Sequence, residues 1–176
     1  ARLTLLREIA EIYRNHVKSD TSLMAILTQV VALDDKDVDA VRDLVRVYEG
    51  LARWRDLLTY QQKLAGLLEN KAEKTDLLRA VARRWLDQFS NVQNAVDAYE
   101  SLLETDPRDE EARAKLRELY TKRRAWPQLF ALSEKELVDA VGAARLELQV
   151  EMAKLASERL DRGVDAVKLL REAVEE

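Results

Sequence analysis

Apolar residues recur three and four positions apart along almost the whole chain. Leu44, Tyr48 and Leu51 share one helical face, as do Leu116, Leu119 and Tyr120, and Ala95, Ala98, Tyr99 and Leu102 form another. This period predicts ten helices, over 2–17, 21–33, 38–50, 54–69, 72–88, 92–104, 109–122, 126–139, 142–160 and 163–175. Asp37 and Asp109 stand one step before a helical pattern, where a carboxylate caps free amides. Pro107 and Pro127 fall in turns or first helical positions, where a missing N–H costs little. Gly50, Gly142 and Gly163 mark boundaries, whereas Gly66 lies inside a predicted helix.

The pattern repeats. "YEGLARWRDLL", starting at Tyr48, returns as "YTKRRAWPQLF", starting at Tyr120. The same shift pairs Asp34 with Asp106, Asp37 with Asp109, Leu44 with Leu116 and Trp54 with Trp126. With one residue fewer, Leu77, Ala82, Ala95 and Val96 meet Leu148, Ala153, Ala166 and Val167. Each unit of about 72 residues divides into two helix pairs of about 36. Small residues (Ala10, Ala82, Ala95, Ala153, Ala166) recur where helices approach closely. No pair can bury its apolar face alone, so neighbours must stack. Tyr48 with Trp54, and Tyr120 with Trp126, are expected to fill the space at the bend between two helices. The duplicated stretch reads as a building block, not as a site used twice.

The segment "NAVDAYESLLETDPRDEEARAKLRELY" resembles the tetratricopeptide repeat (TPR). Ala95, Tyr99, Leu102 and Pro107 match its second helix and turn, and Tyr13, Tyr48, Trp85 and Tyr120 match the large residue late in the first helix. The resemblance covers the chain as five pairs, roughly 1–36, 37–71, 72–108, 109–140 and 141–176. It implies an all-α, right-handed α-solenoid of antiparallel TPR-like helix pairs forming a single repeat domain. Two motif positions depart from the pattern. The usual early Trp is Leu6, Val41, Leu78, Arg113 and Gln149, and the usual Gly is Ala10, Val45, Ala82, Arg117 and Ala153. The third pair carries one extra residue in its inter-helix turn. Half-a-TPR repeats of RNA-processing scaffolds are a close competitor.

Composition agrees with helices: four Gly and two Pro leave few sharp turns, and 47% hydrophobic residues suffice for a continuous core. A net charge of -4 argues against broad attraction to nucleic acid. With no Cys, disulfides, thiolate zinc sites and thiol catalysis are excluded. No apolar run reaches the roughly 18 residues of a membrane helix, and no signal peptide is visible; the compartment stays open, with a soluble, cytoplasmic setting favoured. The chain opens without Met and stops in mid-pattern, and it reads as a piece of a longer protein.

Candidate chemistry is sparse. His16, the one histidine, has no nucleophile beside it, Ser19 and Ser22 belong to a turn, and no phosphate loop or His-pair motif occurs. "DDKDVD", from Asp34, lacks the Gly and distant Glu of a calcium loop, and helix capping explains its acids better. "TKRRAW", from Thr121, joins cations to an aromatic, but reads as a solvated turn beside Glu110, Glu111 and Glu118. No enzyme, metal or cofactor is expected.

In TPR domains the groove is lined mainly by first-helix residues. By that resemblance, Arg7, Arg42 and Arg79 take equivalent positions, with Arg46 and Arg83 a turn further on. Guanidinium groups in a row would hold the carboxylates of an acidic peptide. Ordinary helix pairs, Arg42 with Asp39 and Arg79 with Asp76, would use the same residues differently. Glu111, Ala114, Glu118, Glu147, Val150 and Lys154 form no basic row, which places the expected site in the N-terminal half. The reading is therefore a protein-interaction scaffold with a groove for a protein or peptide partner. Self-association and an RNA-processing scaffold are the alternatives.

Overall fold

The computed structural model describes residues 1–175. Among these, ten α-helices and no strands occur. They are α1 (Arg2–Ile12, running on into a π-helical turn, Tyr13–Val17), α2 (Asp20–Leu33), α3 (Val38–Gly50), α4 (Trp54–Leu67) and α5 (Lys71–Asp87). The others are α6 (Val92–Thr105), α7 (Glu110–Arg123), α8 (Trp126–Asp139), α9 (Gly142–Arg159) and α10 (Gly163–Glu175). Most boundaries fall within a residue or two of those that the apolar period predicts. The π-helical turn is the exception, since nothing in the period separates it from α1.

Odd and even helices pack as antiparallel pairs: α1 on α2, α3 on α4, α5 on α6, α7 on α8 and α9 on α10. The chain gathers into two compact units, Ala1–Asp109 and a second beginning at Glu110. In the first unit the pairs stack through α2 on α3 and α4 on α5; in the second, α8 lies on α9. The fold is all-α helical-repeat stacking. Its first core joins Leu6, Leu27, Val30, Val41, Leu44, Tyr48 and Leu57, drawn from α1 to α4. Its counterpart in the second unit joins Phe130, Leu148, Met152, Ala153, Ala156 and Ala166. Fully burying such a Leu or Phe contributes about 1.5–3 kcal/mol, and each core draws residues from more than one pair.

The turns within pairs show why the duplicated stretch recurs. Each holds one non-glycine residue with positive φ: Lys18, Ala52, Ser90, Arg124 and Asp161. After α3 the amide of Arg53 donates to the Tyr48 carbonyl at 2.9 Å, and after α7 the amide of Ala125 donates to the Tyr120 carbonyl at 2.8 Å. Such bonds satisfy carbonyls that a helix end leaves open. In the third pair the bond spans one residue more, from Asn91 to Trp85, as the extra turn residue requires.

Tyr48 and Tyr120 are buried alike, and so are Leu44 and Leu116. The tryptophans differ from expectation. Trp54 begins α4 and is 46% exposed, while Trp126 is half-buried under the Arg159 guanidinium, 5.4 Å from its ring centre. Standing at helix starts, they lie at the rim of the bend. The space beside Tyr48 is filled by Tyr60, with ring centres 5.1 Å apart.

Candidate binding surfaces

The first-helix arginines of the first unit are joined to carboxylates. Arg7 donates to Asp37 at 2.6 Å and to Asp34 at 3.0 Å, so α1 is tied to the start of α3. Asp37 also accepts the Ala40 amide at 2.9 Å, as the cap of α3. Burial alone would raise the Asp37 carboxyl, but the Ala40 amide and the Arg7 guanidinium outweigh it and hold it below the usual carboxylate range. One repeat later, Arg79 donates to Asp109 at 2.5 Å and to Asp76 at 2.9 Å. The "DDKDVD" acids therefore serve a cap and a cross-helix staple.

Arg42 meets Glu73 of α5 at 3.8 Å, not the Asp39 that helix spacing suggests. Arg46 lies 3.5 Å from Asp43, which also binds Arg14, and its side chain is 71% exposed. Arg83 stands on the exposed side of α5. Of the five arginines, Arg7 is thus a staple between successive first helices, and Arg79 is held by two acids of its own unit. Arg42 and Arg46 are held more loosely. A hollow of about 370 Å³ lies beside Arg7, Glu11, Arg14 and Asp37. His16 is exposed, and "TKRRAW" is not all turn: Lys122 lies in the last turn of α7 and binds Glu118 at 2.6 Å.

A larger cleft, about 920 Å³, lies in the second unit, where sequence reasoning had placed no site. Ala114 of α7, Ala140 at the end of α8, and Leu146, Leu148 and Val150 of α9 supply its apolar surface. Arg117 ties its three helices together. From α7 it donates to Glu136 of α8 at 2.5 Å, to Ser133 at 3.2 Å and to Glu151 of α9 at 3.0 Å. Burial would lower the Arg117 pKa, yet Glu136 and Glu151 outweigh it and raise it, so the cation is permanent. Arg113 meets Asp139 at 3.2 Å. The rim carries five acids (Glu110, Glu136, Asp139, Glu147, Glu151) against Arg113, Arg117 and Lys154. One signal for this cleft was present in the sequence. Arg113 and Arg117 are the fourth pair's two departures from the repeat pattern, both arginine and one turn apart.

No helix among the described residues is long and apolar enough to cross a membrane. No family model matches the chain, and no curated protein does. Among solved structures it is similar to MamA, at 18% identity and TM-score 0.40, over 98% of this chain and 90% of that one. It is also similar to YrrB, described as a TPR protein with an unusual peptide-binding site, at 14% identity and TM-score 0.39, over 96% and 82%. A third likeness is to MamA 41-end from Desulfovibrio magneticus RS-1, at 15% identity and TM-score 0.36, over 98% and 93%. With antiparallel pairs stacked in register, and Tyr48, Trp85 and Tyr120 buried late in their first helices, the fold is that of a TPR-like helical repeat.

Proposed function

We propose that the chain is a non-enzymatic interaction scaffold whose second unit holds a peptide segment of a partner protein in the cleft between α7, α8 and α9. The observation that carries this reading is Arg117, half-buried and bonded to both neighbouring helices. A cleft fixed in this way loses little freedom when a segment docks, which lowers the cost of binding. The apolar surface around the exposed Leu146 suits one apolar anchor residue. The excess of acids on the rim suits Lys or Arg beside that anchor.

Peptide-display selection against the chain tests this. Enriched segments should carry an apolar residue flanked by cations. Leu146→Glu should weaken them about tenfold or more, as expected for losing roughly 1.4 kcal/mol. A selection that enriches nothing, or segments indifferent to Leu146→Glu, would refute the reading.

A second reading rests on the exposure of Arg46 and the long contact of Arg42. An acidic segment would lie on the first-helix face of the first unit, held by these two and flanked by Arg7, Arg79 and Arg83. Selected segments would then be acidic, and Arg42→Glu with Arg46→Glu would abolish their binding while Leu146→Glu would not.

A further inference from the structure

A second hollow, of about 270 Å³, adjoins the cleft of the second unit. The two share Arg117, Glu151 and Lys154 as walls, so they form one groove along α9, crossed by the Arg117–Glu151 bridge. Beyond the bridge its apolar surface comes from Trp126 and Leu129 of α8 and Leu155 of α9, all half-buried. The charged groups there are Lys154, Glu158 and Arg159.

The sign of the unpaired charge changes along this groove. On the Leu146 side, Arg113 and Arg117 are bonded to Asp139, Glu136 and Glu151, which leaves Glu110 and Glu147 without an ion pair among the described residues. On the far side cations prevail. The natural helical partner of Lys154 is Glu151, three residues earlier, but Arg117 holds that carboxylate at 3.0 Å. Lys154 is exposed and has no ion pair among the described residues. The Arg159 guanidinium sits over the Trp126 ring, and its N–H groups have no carboxylate partner among the described residues. A guanidinium held by a ring in this way keeps N–H donors for a carboxylate. Only Glu158 opposes these two cations.

We infer that a partner segment whose apolar anchor sits at Leu146, as proposed above, continues across the Arg117–Glu151 bridge and sets an Asp or Glu side chain between Lys154 and Arg159. The groove then selects a segment of two signs, with Lys or Arg beside the anchor and an acid further along. The spacing follows from α9. At a rise of about 1.5 Å per residue, Lys154 and Arg159 stand about 12 and about 20 Å beyond Leu146 along the helix. An extended segment advances about 3.3 Å per residue, which places the acid about four to six residues from the anchor. Beside Trp126 and Leu155 the new ion pairs are partly shielded from solvent, where salt screens them less.

Fluorescence anisotropy with a segment enriched by display selection against the 176-residue chain tests the inference. That segment is compared with a shortened form ending before the acid, and with a form carrying Lys in place of the acid. The protein variant is Lys154→Glu, at an exposed position, and circular dichroism checks that it folds. Enriched segments should carry an acid at the stated spacing, and shortening should weaken binding about tenfold or more. Lys154→Glu should weaken the full segment by a similar factor without weakening the shortened form. It should also bind the Lys form more tightly than the full segment. Enriched segments without the acid, full and shortened forms that bind equally, or a full segment indifferent to Lys154→Glu would each overturn the inference. If Leu146→Glu still weakens binding in those cases, the anchor at Leu146 stands alone. Segments indifferent to Leu146→Glu, or a selection that enriches nothing, overturn both.

Discussion

At the scale of single residues, the repeated turn is held together against a local cost. Ala52 adopts φ 53° and is exposed, so its methyl group gains no packing while its backbone sits in a region disfavoured for L-residues. The bond from Arg53 to the Tyr48 carbonyl and the burial of Tyr48 keep the turn in place. Ala52→Gly removes the steric cost of the methyl group and adds some chain entropy to the unfolded state. The balance should stabilise the protein by about 0.5–1 kcal/mol in urea denaturation, and a loss of stability would contradict this account of the turn. The tyrosines were legible in the sequence because they recur in register. The positive φ was not, because Lys18, Ala52, Ser90, Arg124 and Asp161 share no residue type that signals it.

At the scale of elements, the apolar period gave nearly every helix, since each must bury one face. Which polar groups join one helix to the next depends on distances between helices that the period does not contain. Arg42 therefore finds Glu73 in the neighbouring pair, although Asp39 is nearer in sequence. Asp37 has two separable duties, capping α3 and binding Arg7. Its pKa is lowered in the folded state, so its contribution is fully present above the ordinary carboxylate pKa and is lost as pH falls through the lower folded value. Asp37→Asn keeps a capping oxygen but loses the charge. It should cost less at neutral pH than Asp37→Ala, for which about 1 kcal/mol is the usual price of a lost cap. The deficit of Asp37→Asn relative to the unmodified chain should shrink on acidification, read from denaturation midpoints between neutral and acid pH. A deficit that stays constant with pH would show that the Arg7 staple does not stabilise the fold.

At the scale of the molecule, repetition made the fold legible and drew attention away from the cleft in the second unit. The arginines singled out in the first unit stand at equivalent positions because they meet equivalent carboxylates: Arg7 with Asp37, and Arg79 with Asp109. What distinguishes the second unit is a break in the pattern, where Arg113 and Arg117 replace the small and aromatic residues expected of a repeat. Arg117 reaches acids 19 and 34 residues away, which no helical spacing predicts. The central claim is that this break makes the binding cleft. The most direct measurement is a two-dimensional amide NMR titration of the uniformly labelled chain with a peptide obtained by display selection. The account predicts saturable shifts concentrated at Ala114, Arg117, Leu146 and Val150, with the midpoint moved about tenfold or more to higher peptide concentration in the Leu146→Glu variant. Shifts concentrated instead around Arg42 and Arg46, or spread over the chain without saturation, would contradict it.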